Sequence, residues 1–146
     1  VFQKWESNSL LYIWDLIMNA KEVLIAFMKD MNSWENSYRD AFMADHNVDK
    51  GSYLAELNKI FNNRCTVKER KYGRQVSMRV GFPPDYDPES DEIIDEITVK
   101  NKTSIIVQKH TGFENRYRYT LHFKNNEWRI DKKEWLDDEG WKQAYL

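Results

Sequence analysis

The sequence is poor in the residues that staple, punctuate or charge a chain. Cys65 is its single cysteine, which excludes an intrachain disulfide and a thiolate zinc site. In a strand-like run, it reads as a small buried hydrophobe, and a lone thiol fits a reducing cytoplasm. Only three prolines and five glycines occur among 146 residues, and no repeat or low-complexity linker divides them, so the chain reads as a single domain, 1–146. The 22 basic residues nearly balance 24 acidic ones, and a net charge of -2 gives no global field for nucleic acid or an anionic membrane. The most apolar stretch, LLYIWDLIMNAKEVLIAFM at residues 10–28, carries Asp15, Lys21 and Glu22, which excludes a membrane span or signal core. The three histidines are scattered: His46 in a turn, His110 at a strand end, His122 on a polar strand face. No two can share a metal or serve a nucleophile, and no phosphate loop or dinucleotide fingerprint occurs. No cofactor is expected.

Aromatic side chains, in contrast, are abundant, with six Trp and eight Tyr. Apolar residues at Leu10, Trp14, Ile17, Leu24, Phe27 and Met31 predict a helix over about 9–30 with Ser9 as N-cap. Trp34, Tyr38 and Phe42 predict a second helix beginning after Ser33. Past the turn DHNVDKGS, the residues Tyr53, Leu57, Ile60 and Phe61 predict a third. From Arg64 the period shortens to two: Cys65 and Val67, then Val76, Met78, Val80 and Phe82 after the YGR turn. Ile93, Ile97 and Val99 follow, then Ile105 and Val107, Tyr117 to Phe123, and Trp128 with Ile130 beyond an Asn125–Asn126 turn. Such alternation predicts antiparallel strands with one covered and one wet face. Helices before a strand meander predict an α+β domain, N-terminal helices on a strongly curved antiparallel sheet, its interior closed by aromatic and aliphatic side chains.

All three prolines fall in GFPPDYDPESDEIIDE, residues 81–96. Asp85, Asp87, Glu89 and Glu96 imitate the acidic positions of an EF-hand loop. However, Ser90 stands where the obligatory glycine belongs, Glu92 where an apolar residue belongs, and no helix flanks the segment. Calcium is therefore excluded. The stretch reads either as a stiff solvated loop or as an acidic finger for a basic partner, with Asp85, Tyr86, Asp87, Glu89, Asp91 and Glu92 as contacts and Phe82 and Tyr86 as anchors.

Asp95, between Ile93 and Ile97, would have a raised pKa if it faced an interior cavity, with Tyr117 or Tyr119 as hydrogen-bond partner. The simpler reading starts the strand at Ile97 and leaves Asp95 wet. The basic VKERKYGR, residues 67–74, reads as a guarded hairpin edge in a slightly acidic domain, not as a nucleic-acid site. Arg118, Thr120, His122 and Lys124, beside Arg129, Asp131 and Lys133, make a polar outer face.

Three helices before a bent meander resemble the cone of the nuclear-transport-factor-2-like (cystatin-like) fold. More closely, RCTVKERKYGR, the PPDYDP loop and YRYTLHFKNNEWRIDKKEW resemble the immunity proteins of that fold from bacterial polymorphic toxin systems. The matching residues are Pro83, Pro84, Tyr86 and Asp87, then Tyr119, Leu121, Trp128, Arg129, Ile130 and Asp131. The resemblance spans roughly residues 31–146 and leaves 1–30 as an added N-terminal helix. It implies a non-catalytic protein that binds and blocks a cognate toxin domain in the cytoplasm of the producing cell. Two alternatives stay open: an isomerase- or dehydratase-like or ligand-binding cone using Asp95, Tyr117 and Tyr119, and self-assembly into a homodimer through the sheet.

Overall fold

The computed structural model describes residues 17–146. The first helix is fixed by a reciprocal cap. Asn19 Oδ1 accepts the Glu22 N–H at 2.9 Å while Glu22 Oε1 accepts the Asn19 N–H at 3.4 Å. From there α1 (Ala20–Ala44) runs unbroken for 25 residues. The expected break at Ser33 is absent, for a reason the spacing contains. Leu24, Phe27, Met28, Met31, Trp34 and Tyr38 succeed one another along one face, so the buried stripe never loses phase. Ser33 lies on the exposed side of that helix. The expected start near residue 9 lies outside the described residues. α2 (Lys50–Arg64) begins where Asp49 Oδ1 accepts the Gly51 N–H at 3.0 Å, and it buries Leu57 and Phe61. Among the described residues, two helices thus stand where three were expected. None of these is long and apolar enough to cross a membrane.

The sheet is an antiparallel meander in chain order: β1 (Glu92–Val99), β2 (Lys102–Gln108), β3 (Arg116–Lys124), β4 (Glu127–Asp137) and β5 (Gly140–Ala144). Between β3 and β4, Asn125 and Asn126 take φ of 55° and 62°, the left-handed pair that a two-residue hairpin turn demands and that asparagine tolerates. The alternation expected from sequence ends at Ile130, so the fifth strand is an addition to it. Its turn, Asp138–Glu139 before Gly140 at φ 124°, closes a tight hairpin onto β4, and the Arg118 guanidinium covers Trp141 at 4.5 Å. The inner face presents Ile105, Val107, Tyr119, Leu121 and Ile130 to the apolar stripes of both helices. Phe27 lies at the centre, edge-on to Phe61 at 5.7 Å and to Tyr86 at 5.5 Å. The α+β architecture follows the sequence expectation.

Residues 66–91 depart from it. The predicted strands through Val67 and through Val76–Phe82 do not form; a single bridge pairs Cys65 with Ile130. Val67, Val76 and Phe82 are exposed, whereas Met78 and Val80 pack against the core. The alternation is real, but the segment finds no strand to pair with. Instead the Arg74 N–H donates to Leu146 O at 2.9 Å. At Gly73 a Cβ would stand 2.5 Å from that same oxygen, so only glycine fits.

A second departure sits in β4. Thr120 pairs with Lys132 but Leu121 with Ile130, so Asp131 is an extra residue, a bulge. One inserted residue exchanges the faces of everything beyond it. Lys133, on the outer face by strict alternation, is therefore turned inward opposite Tyr119.

An unbroken α1 has a measurable consequence. Ser33→Ala is expected to stabilise by about 0.5 kcal/mol, the helix-propensity difference at an exposed interior position. Asn19→Ala is expected to cost about 1 kcal/mol. Urea denaturation checks both; a loss of about 1 kcal/mol at Ser33 would restore the cap, and with it the break in the helix.

Candidate functional site

The proline-rich loop is the chain's chief candidate, and it is folded inward. Tyr86 is 2% exposed, and its carbonyl accepts the Asn32 Nδ2–H at 2.6 Å from α1. The backbone N–H of Asp85 donates to Glu35 Oε2 at 2.8 Å. On the sheet side Lys109 Nζ donates to Asp85 O at 2.8 Å and to both Asp91 carboxylate oxygens at 2.9 and 3.0 Å. Asp87 Oδ2 accepts the Ser90 hydroxyl at 2.8 Å, and the Asp87 N–H donates to Asp91 Oδ2 at 3.0 Å, closing the turn on itself. The loop is thus pinned by helix and sheet at once.

This corrects the extended finger. Tyr86 is no surface anchor, because its ring fills the core against Phe27. Asp91 is no surface acid either, with a side chain 2% exposed and paired to Lys109. Asp85 and Glu89 are exposed, as is Glu92, and Asp87 is partly so. Asp85 is engaged by the Arg74 guanidinium, and Glu92 Oε2 lies 2.9 Å from His110 Nε2.

The proposed pocket trio does not assemble. Asp95 does lie within the strand, since β1 begins at Glu92, yet it is exposed at a bulge, and its Oδ1 accepts the Glu96 N–H. Tyr117 and Tyr119 instead meet a residue that alternation places outside. The Lys133 ammonium lies 4.3 Å from the centre of the Tyr117 ring, 4.6 Å from Tyr86 and 5.7 Å from Tyr119. Only the bulge at Asp131 puts it there, and a bulge has no composition signal in a run such as WRIDKKEW.

Around this cage the interior is charged. Glu35 Oε1 and Arg74 Nη1 stand 3.6 Å apart, an ion pair too long for a hydrogen bond, and both atoms are buried without a hydrogen-bond partner. The Tyr86 hydroxyl is likewise unpartnered. Arg74 also lies over the Trp34 ring at 5.6 Å. Burial pushes the Glu35 carboxyl up to about 7, against the pull of Arg74. Burial pushes the Lys133 ammonium down to about 8, with Asp85 opposing. The Tyr86 and Tyr119 hydroxyls are held well above their ordinary range by burial, and burial drives the Cys65 thiol up to about 12, so that it is inert at neutral pH. Among the described residues no group of three or more His, Cys, Asp or Glu is placed to hold a metal ion.

The NTF2 fold immunity protein family matches residues 19–145, from the Asn19 cap almost to the end. The chain is 41% identical over 128 residues to Immunity protein RhsIA of Dickeya dadantii (strain 3937), covering 86% of this chain and 94% of that protein. No solved structure matches. The chain belongs to the NTF2-fold immunity proteins.

Lys133 has a clear linkage signature. Its folded pKa of about 8 lies below the ordinary 10.5, so the unfolded chain binds more protons between those values and stability rises with pH across that window. Lys133→Met, which keeps the stem and removes the charge, is expected to stabilise by about 2 kcal/mol at neutral pH. That gain should shrink as pH climbs toward about 10. Urea melts at both pH values check it; destabilisation at neutral pH would mean that the ammonium is paired in the fold.

Proposed function

With membership of the NTF2-fold immunity proteins as the premise, we propose that this protein neutralises a cognate toxin domain by binding it, in the cytoplasm of the cell that makes it, and catalyses no reaction. The family match, with the relative whose name is that of an immunity protein, carries the reading. The interior supports it. Asp95 is exposed and its carboxylate accepts the Glu96 N–H, while the Tyr86 ring is packed into the core against Phe27.

The contact surface we favour surrounds the outer side of the proline loop. Phe82 is 86% exposed and Phe113 is 96% exposed, a cost in water that a partner's surface would relieve. Phe113 shares with Pro83, Pro84 and Asp85 a depression of about 220 Å³, so the β2–β3 loop and the proline loop form one continuous surface. Pro84, Asp87, Pro88 and Glu89 continue it into a groove of about 850 Å³ against α1, where the Arg39 guanidinium covers Phe82 at 5.7 Å. Exposed aromatic anchors within a mixed rim, Asp40, Asp87 and Glu89 against Lys29 and Arg39, suit a toxin domain with a basic patch, the anchors setting dissociation and the rim setting association.

The test uses the cognate toxin domain. Phe82→Ala and Phe113→Ala are each expected to weaken its binding at least about tenfold without lowering the melting temperature. Glu89→Lys combined with Glu92→Lys is expected to slow association and reduce its salt dependence. Unchanged affinity in all three would remove this surface from the interface. A purified pair that does not associate would overturn the binding reading itself.

A further inference from the structure

A cleft beside Tyr86 holds a cation that no carboxylate pairs. Lys133 is 6% exposed, and among the described residues no carboxylate reaches salt-bridge distance of its ammonium. The nearby acids are engaged elsewhere: buried Glu35 and exposed Asp85 face Arg74, and Asp91 is held by Lys109. Lys133 lines a cleft of about 320 Å³, together with Arg74, Arg79, Asp85, Tyr86 and Tyr145. Arg74 Nη1 and the Tyr86 hydroxyl, on residues of its wall, are sealed from solvent, and Arg74 Nη1 faces Glu35 Oε1 at 3.6 Å. Asp85 is the acidic side chain of that wall and is engaged by Arg74, and the main chain of Leu146 also lines it. A second cleft of about 370 Å³ shares Lys133 and Tyr145 with the first and adds Lys68, Arg70, Lys71 and Lys132 against Glu69 and Asp131. The mouth is therefore net positive on a chain whose overall charge is -2.

A buried cation caged by three aromatic rings and left without a counter-ion is costly, and a methionine would fill the same space more stably. An ammonium that lines an open cleft with no carboxylate at salt-bridge distance is placed to receive one from outside. We propose that this cleft is a binding site for an anionic oxygen group, a carboxylate or phosphate, received by the Lys133 ammonium. The site stands on the chain's own geometry and goes beyond the toxin-binding reading. The same chemistry serves a free acid or an acidic group presented by the bound toxin.

The first arm of the test needs this protein alone. The Lys133 side chain is followed by NMR, assigned by its loss in Lys133→Met, during titration with sodium acetate and with sodium phosphate against sodium chloride at equal ionic strength. Groups facing that ammonium are Glu35 and Arg74 on the helix and loop side, Asp85 and Tyr86 on the proline loop, and Lys109, Tyr117 and Tyr119 on the sheet, so their titration is monitored alongside it. The expected result is a saturable shift in the ~1–10 mM range. The Lys133 pKa should rise by about one unit, a tenfold gain in proton affinity. No saturable change, or the same change with chloride, overturns the site. The second arm measures toxin affinity of Lys133→Met, a variant expected to fold more stably than the parent. With the first arm positive, a tenfold or greater loss supports a toxin-borne carboxylate as the occupant, and unchanged affinity supports a free anion. A toxin that does not bind at all overturns the toxin-binding reading, while a saturable shift in the first arm still supports the anion site.

Discussion

The interior is organised around the burial of one tyrosine from a loop. Tyr86 takes the place beside Phe27 that a helix or strand residue would otherwise fill, and a ring of that size removes on the order of 150 Å² from water. To bring it there, the chain must carry the polar backbone of residues 85–87 into the core, where every unpaired group costs about 1–3 kcal/mol. Glu35, Asn32 and Lys109 meet that demand with hydrogen bonds from the helix and from the sheet. Their own charges must then be balanced, which brings Arg74 and Asp91 inward. The buried polar network follows from the buried ring.

Lys133 is the exception, since nothing in that network needs it. The bulge at Asp131 turns it inward, the tyrosine cage softens its desolvation without removing it, and Asp85 and Glu35 oppose that desolvation only from beyond salt-bridge distance. Glu35 is a milder case. Its carboxyl is raised to about 7 from 4.5, so folding takes up a proton between those values and stability falls as pH rises through them. Both residues reduce the stability of the free protein near neutral pH. They sit beside the cleft at the mouth, while the wall away from it is packed with Leu24, Ile105, Leu121 and Ile130.

Local periodicity makes the meander and its Asn125–Asn126 turn legible, because those signals act over two to eight residues. The same rule misplaces residues 76–82, whose alternation is equally regular; a strand exists only where a partner strand accepts it, and that is decided by the whole sheet. Ser33 is a good capping residue, but a cap marks a helix start only where the apolar stripe also loses phase, and here it does not. β5 has a local signal of its own in the turn Asp138, Glu139 and Gly140. The resemblance carries the family correctly. The loop on which it rests looks outward-facing in sequence, because acid-rich composition does not show that Asp91 and the Tyr86 backbone are answered by Lys109 and Asn32. Lys133 cannot be found by alternation, since one inserted residue reverses the faces.

If the cone is plugged by its own loop, the protein can act only through what lies outside or at its mouth. The most direct measurement is the titration of the cognate toxin domain's activity with this protein. A binder predicts a linear fall that reaches zero at one equivalent, with full toxin activity recovered when the two are separated. Progressive loss of activity in a large excess of toxin, or permanent chemical change in the toxin recovered afterwards, would show turnover and contradict the binding account.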